Sequence, residues 1–345
     1  MRRLRSLLVI ALFFTHSLYA RPVMRVYILA GQSNMDGTYN PLISQLPAGL
    51  TGTIPDVLIK VNGDVNIDWG PLRPGLGATA NNFGPEITFG RDALASSNGD
   101  KIAIIKFAYG GTTLNEDWRP PSSGGTVGWL YTALINDITT GLAALDSTYS
   151  VEIMGVCWMQ GEYDALDATK ASNYEVNLGN FIHDIRAAFN NPQLPFVIGM
   201  IDSSVGWTYN AIVRQGEINV AKNISGLSIF DTHRLGTDGY HYNTSGQIEL
   251  GHFFYYYLAN PNVCIQCEGN TVTVFPNPSN GYFKITYTEI PTDYTYKITD
   301  VKGAIIRTGQ LYIGCEVDVS ALSPGTYFIS LTTNETTVVK KLIKI

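Results

Sequence analysis

Compact apolar runs alternate with helical periodicity from residue 23 to about residue 260. The runs at 24–29, 102–107, 151–158, 196–201 and 227–230 read as strands covered on both faces, since a strand with one wet face would alternate apolar and polar positions. Between them, apolar residues recur every three or four positions. Leu130, Leu134, Ile138, Leu142 and Leu145 do so within 126–146, and Tyr174, Leu178, Phe181, Ile185 and Phe189 within 168–189. Helices are also expected over 207–222 and 244–259. Such strand–helix repetition predicts an α/β fold, a parallel sheet with helices on both faces. The segment 40–85 is rich in Gly, Pro and Asn and reads as loops and a hairpin laid over one end of the sheet.

The pattern changes after Asn260. A polar stretch over 261–270 leads into short β-rich runs at 271–275, 282–288, 294–299, 304–307, 326–331 and 337–345. Turn signals separate them: Pro276-Asn277-Pro278-Ser279-Asn280-Gly281, Lys302-Gly303 and Ser323-Pro324-Gly325. Roughly seven short strands in so few residues predict a small all-β sandwich. The expected division is a first domain over 21–262, a linker over 263–270 and a second domain over 271–345.

Length agrees with this division, because 345 residues favour two domains over one. The formal charge is −6, and no basic run interrupts the chain. Such a protein is unsuited to phosphate backbones or anionic lipid, which excludes nucleic acid as a partner. The first twenty residues read as a secretory signal peptide. Arg2, Arg3 and Arg5 precede the apolar run 7–14, and a short polar stretch ends at Ala20. That run is too short to cross a hydrocarbon core of about 30 Å, and nothing later predicts a membrane span.

Of the four cysteines, Cys264 and Cys267 lie close together in the polar stretch and could bridge in an oxidising compartment. Cys157 sits in an apolar run and reads as a small core residue, while Cys315 has no evident partner. No histidine follows His252, so neither a zinc site nor any other metal is expected.

Candidate chemistry begins where the first strand runs into Gly31-Gln32-Ser33-Asn34-Met35. A serine between a buried parallel strand and a helix lies at the carboxyl edge of the sheet, where open α/β folds bind ligands. Free backbone N–H groups there can also stabilise a developing oxyanion. A serine nucleophile needs a base. His183 and His252 fall within helical patterns, whereas His233 and His241 both follow the last strand. His241 has Asp238 three residues before it, and a carboxylate can orient an imidazole toward a serine hydroxyl. His233 lacks that spacing, although Asp231 is two residues away. Two further segments end strands: Tyr109-Gly110-Gly111-Thr112, where a backbone N–H can approach a ligand, and Met159-Gln160-Gly161-Glu162-Tyr163-Asp164, where Gln160 offers a side-chain amide. Asp36 reads as an acid favoured near a helix N-terminus.

The motifs GQSNM, GGT, WMQGEYD and DGYHYN, in this order, resemble the SGNH-hydrolase superfamily, most closely its sialate O-acetylesterase-like branch, carbohydrate esterase family six. FGPEITFGRDAL at 83–94 is similar to the same branch. The resemblance implies a flavodoxin-like three-layer fold with Ser33, Asp238 and His241 as a catalytic triad. It also implies an oxyanion hole from the Ser33 amide, Gly110 or Gly111, and Gln160. Glu162 and Asp164 match family positions and read as orienting residues. After the linker, VFPNPSNGYFKI, YKITDVKGAIIRTG and LSPGTYFISL resemble a type A sorting domain, an Ig-like sandwich. Such domains direct cargo to type IX secretion machinery and are usually cleaved afterwards.

The expectation from sequence is therefore an exported serine esterase that removes O-acetyl groups from an acetylated glycan and needs no cofactor. Its rivals are a non-catalytic surface carbohydrate binder on the same fold and a lipolytic esterase.

Overall fold

The computed structural model describes residues 21–233, 235–260, 272–275, 277–279, 281–287, 294–311, 316–332 and 337–345. The expected signal peptide, the linker 263–270, Cys264, Cys267 and Cys315 lie outside the described residues.

Seven strands form the first sheet: β1 (Val23–Gly31), β2 (Ile54–Asn62), β3 (Ile67–Leu72), β4 (Lys101–Ala108), β5 (Ser150–Met159), β6 (Phe196–Gly199) and β7 (Leu227–Phe230). Their order is β3-β2-β4-β1-β5-β6-β7, and every neighbouring pair is parallel except β2 with β3. After β1 the chain goes to one side of that strand, and it later returns to the other side for β5. The carboxyl end of β1 is thus the switch point, where the flanking connections diverge and leave a crevice.

One-turn helix α1 (Ser33–Asp36) follows β1 directly. The longer helices are α2 (Glu86–Ala95), α3 (Trp129–Asp146), α4 (Ala168–Ala188), α5 (Asn210–Asn223) and α6 (Thr244–Ala259). They divide between the two faces because alternate strand residues point to opposite sides. Val26, Ile28 and Ala30 join a core with Leu134 of α3, Phe181 of α4 and Val213 of α5. Tyr27 and Leu29 join a second core with Phe89 of α2 and Phe254 of α6. This gives three layers. Buried on both faces, the central strands gain no free energy from polar alternation, and hence read as continuous apolar runs.

The hairpin expected within 40–85 does not lie over the end of the sheet. β2 pairs in parallel with β4, and β3 is the sheet's antiparallel edge. Val57, Ile59 and Val61 alternate with less buried residues, so β2 carries the period-two pattern of an outer strand with one well-covered face. Helix α2 directly follows the 40–85 segment and lies outside the four stretches in which the sequence predicts helices.

Cys157 is fully buried on β5 with a free thiol, and burial pushes its pKa well up, as befits a small core residue. No helix among the described residues is long and apolar enough to cross a membrane.

The later residues form β8 (Val272–Phe275), β9 (Tyr282–Tyr287), β10 (Tyr294–Asp300), β11 (Ile305–Leu311), β12 (Glu316–Asp318), β13 (Gly325–Thr332) and β14 (Thr337–Lys344). They make two antiparallel sheets, β11-β10-β13-β14 and β12-β9-β8. Phe283 and Val317 from one sheet and Ile298, Ile329 and Leu342 from the other share one core, as in a sandwich.

Candidate active site

β1 delivers its last residue, Gly31, against the end of β5. A Cβ at Gly31 would lie 2.0 Å from the Met159 carbonyl oxygen, and its φ of +153° is one that side chains rarely adopt. No other residue fits there. The chain then turns through Gln32 into α1, which places Ser33 at the first helical position and closes with Gly37 in the left-handed region. Ser33 is largely buried but lines a cleft of about 700 Å³. The same cleft is lined by Gln32, Asn34, Gly110, Gly111, Glu162, Tyr163 and His241. Serine, histidine and the glycine pair therefore converge from three different strand ends.

Of the glycine pair, Gly110 sits beside the serine. A Cβ there would come 3.5 Å from the Ser33 Cβ, whereas one on Gly111 would meet the Tyr163 ring. Gln160 lies behind the cleft wall and is fully buried. Its Nε2 donates to the Asp164 carboxylate (2.7 Å), the Thr112 carbonyl (2.9 Å) and Gln32 Oε1 (3.1 Å). Three oxygens around one nitrogen fix the orientation of this amide, and its Oε1 is buried without a partner among the described residues. Gln32 takes up that bond with its own oxygen. Its Nε2 bonds to nothing among the described residues, and Gln32 lines the cleft.

Asn34 ties the serine turn to the histidine loop. Its Nδ2 donates to Glu162 Oε1 (2.8 Å) and to the Tyr240 carbonyl (3.3 Å), and its Oδ1 accepts from the Tyr242 amide (3.0 Å). His241 is held between those two anchor points. Burial pushes the carboxyl of Glu162 up to about 7, against the hydrogen bond from Asn34, and its Oε2 has no partner among the described residues. Asp164 accepts from the Leu114 amide (2.8 Å) and the Asn115 amide (3.0 Å), fixing the loop after Gly110 and Gly111 to the end of β5. Burial raises it to about 6, opposed by Gln160 and those two amides.

Asp238 accepts from the backbone amides of Tyr240 (2.9 Å) and His241 (2.8 Å), and Asn40 donates to its other oxygen. It thereby shapes the turn that carries His241. Among the described residues no hydrogen bond reaches the His241 ring. Burial lowers the His241 pKa below the ordinary value, and the Asp238 charge opposes that shift. For Asp238 itself, burial raises the pKa but is outweighed by the His241 and Tyr240 amides and the His241 charge, so the net shift is downward.

The other histidines lie elsewhere. His233 is exposed and pairs with Asp202 at 3.5 Å, His252 contacts Asp92 at 2.6 Å between α6 and α2, and His183 lines a separate groove. Asp36 closes the single turn of α1 and is buried, with its carboxyl raised to about 6 by burial against the pull of Lys106. Lys106 is fully buried too. It pairs with Glu86 and donates to the carbonyls of Asp36 and Leu76, each at 2.8 Å. Sequence reasoning singled out neither Lys106 nor the roles of Gln32, Asn34 and Asn40. A signal was present in the first three: polar side chains inside apolar runs or beside the serine must find buried partners.

Residues 23–259 match the family described as carbohydrate esterase, sialic acid-specific acetylesterase. The chain belongs to this family. Residues 273–345 match the secretion system C-terminal sorting domain. A probable carbohydrate esterase of Arabidopsis thaliana is 33% identical over 152 residues, 44% of this chain and 52% of that protein, so the match spans about half the relative's length. The solved structure of an Arabidopsis thaliana protein superposes with a TM-score of 0.57 at 22% identity, covering 68% of this chain and 98% of that one. A carbohydrate acetylesterase of Xanthomonas citri superposes at 0.51 and 17% identity, covering 88% of this chain and 74% of the other. At these identities the structural likeness establishes the fold, with the family's three-layer domain carrying the cleft.

Proposed function

We propose that this member of the carbohydrate esterase family is an exported serine esterase that removes O-acetyl groups from carbohydrate. Ser33 Oγ attacks the acetyl carbonyl while His241 takes its proton. The tetrahedral oxyanion receives the backbone N–H groups of Ser33 and Gly110 and the Nε2 of Gln32. The intermediate collapses, the bond to the sugar oxygen breaks, and the imidazolium returns its proton to that oxygen. Water, deprotonated by His241, then attacks the acetyl-enzyme and releases acetate and free Ser33. Asp238 shapes the histidine turn and stabilises the imidazolium electrostatically, while Glu162 and Asp164 hold Asn34 and the Gly110 loop in register.

The observation that carries this reading is the convergence of Ser33, Gly110 and His241 on one cleft at the sheet's switch point. The family match supports the ester chemistry. The sorting domain supports type IX export, with residues 1–20 directing the first crossing. Ser33→Ala should lower kcat on 4-nitrophenyl acetate by about four orders of magnitude with the fold intact. A folded variant that keeps most of its turnover would remove Ser33 as nucleophile. No hydrolysis by the unaltered protein would favour a carbohydrate binder on the same fold.

A further inference from the structure

Ser33 stands on an element that cannot hold its own shape. Helix α1 is the four residues Ser33–Asp36, and a single turn fixes several backbone dihedrals in return for very few hydrogen bonds. The Met35 and Asp36 amides donate to the Gln32 carbonyl (2.8 and 2.9 Å), and the Gly37 and Thr38 amides donate to the Ser33 carbonyl (2.9 and 3.1 Å). Carbonyls nearer the end of such a turn have to be satisfied by groups from elsewhere.

Two buried side chains do this. From α6, Gln247 Nε2 donates to the Asn34 carbonyl at 2.8 Å. From β4, Lys106 Nζ donates to the Asp36 carbonyl, also at 2.8 Å. An ammonium has three protons, and the other two of Lys106 go to the Leu76 carbonyl and to Glu86 Oε2, each at 2.8 Å. Glu86 in turn accepts the Gly84 amide on Oε1 at 2.9 Å. One ammonium on β4 therefore ties α1 to the connection before α2 and to α2 itself.

That arrangement is costly. The neighbours of Lys106 on the same face of β4, Ile104 and Ala108, belong to the apolar core shared with α2 and α6. A lysine and a glutamate buried there give up hydration that their attraction does not fully return, and an apolar pair of similar volume would serve stability as well or better. The packing around the pair is also close. A Cβ on Gly84 would lie 2.6 Å from Glu86 Oε2, 2.7 Å from the Met35 carbonyl oxygen and 2.8 Å from Lys106 Nζ. Only glycine lets that chain segment pass between α1 and the ion pair. Stability alone does not account for such a pair beneath the nucleophile's turn. Direction does: an apolar side chain can fill the space under α1, but only a hydrogen-bond donor fixes where its carbonyls point.

We infer that Lys106 and Gln247 are positioning residues for the reaction. By holding the Asp36 and Asn34 carbonyls they set the orientation of α1. That orientation aims the Ser33 hydroxyl at His241 and the Ser33 amide at the oxyanion, while Glu86 keeps the ammonium in place. The inference rests on the esterase reading above and adds to it residues that never touch substrate.

The test compares four full-length proteins on 4-nitrophenyl acetate: the unaltered chain, Ser33→Ala, the paired substitution Lys106→Met with Glu86→Gln, and Gln247→Met. The paired substitution leaves no buried charge of this pair behind, and an amide oxygen at position 86 can still accept from Gly84. Its melting temperature should stay within about 5 °C of the unaltered protein's. Its kcat should fall about a hundredfold, with KM changed by less than about threefold, because a slightly misaimed nucleophile still binds substrate. The acid limb of the kcat/KM profile should not move, since His241 keeps its surroundings. Gln247→Met removes the other brace without touching a charge. It should show the same pattern with a loss of about tenfold, and it decides the matter if the paired substitution does not fold. A purely structural role predicts the reverse, a lower melting temperature with kcat of the folded protein unchanged, and that result overturns the inference. A displaced acid limb would put the effect on His241 and also overturns it. Both outcomes leave the esterase reading in place. If Ser33→Ala retains turnover, or the unaltered chain is inert, the esterase reading itself fails and this inference falls with it.

Discussion

We propose that Gln32, held by Gln160, presents its amide to the oxyanion. The nitrogen of Gln160 already serves three oxygens behind the wall, so drawing it toward an oxyanion would break bonds in a fully buried place. Gln32 is oriented by that same nitrogen. Gln32→Ala should therefore lower kcat about a hundredfold, roughly 3 kcal/mol, with little change in KM. Gln160→Ala should act more weakly, by freeing Gln32 to turn. Steady-state kinetics on 4-nitrophenyl acetate decide it, and a larger loss for Gln160→Ala would make Gln160 the donor. In the proposed mechanism His241 must be neutral to accept the serine proton. Its lowered pKa puts the acid limb of the kcat/KM profile below the ordinary histidine value of about 6.5. The Asp238 charge opposes that lowering, so Asp238→Asn should move the limb to still lower pH while reducing kcat. A limb that moves upward would contradict this electrostatic role.

At the level of elements, the site is a set of strand ends sewn together by buried polar groups. Asn34 joins α1 to the loop before α6, Asp164 joins the β4 loop to β5, and Lys106 joins β4 to α1 and, through Glu86, to α2. These ties have a consequence for stability. Glu162 has a folded pKa of about 7, above its ordinary value, because burial disfavours its ionised form. The stability its neutral form retains is fully present below the unfolded pKa, near 4.5, and is lost as pH rises through 7. Asp36 and Asp164, both raised to about 6, act in the same direction. Melting temperature should thus decline between pH 5 and pH 8, and Glu162→Gln should flatten the decline by its share, about 3 kcal/mol at most. Thermal melts of both proteins across that range check it; equal slopes would show that Glu162 ionises without cost.

At the scale of the whole molecule, we propose that residues 21–262 and 271–345 are separable units. The seven-stranded sheet has two apolar cores and the two later sheets share a third, separate one, and Ser33, Gly110, Gln32 and His241 all belong to the first unit. Domains with separate cores joined by a polar stretch can fold alone. A protein of residues 21–262 should hydrolyse 4-nitrophenyl acetate and melt much as the full chain does. Insolubility, or a soluble but inactive product, would show that the later residues complete the first domain.

The sequence by itself determined the repeating strand–helix order, the five strands β1, β4, β5, β6 and β7, the change to short β-runs after Asn260, and the segments that end at the crevice. These are local matters: a strand buried on both faces must be apolar along its length, and a helix covering it must repeat every three or four residues. What only the tertiary structure decided is which polar atoms meet. The β2–β3 hairpin joins the sheet because its alternating face finds a core contributed partly by distant helix α2. Asp238 binds backbone amides rather than the His241 ring, Gln160 faces inward, and the Tyr39 ring lies 5.0 Å from that of His241. None of these follows from spacing along the chain, because a side-chain hydrogen bond depends on the placement of groups that here lie as far as 213 residues apart, to within a fraction of an ångström.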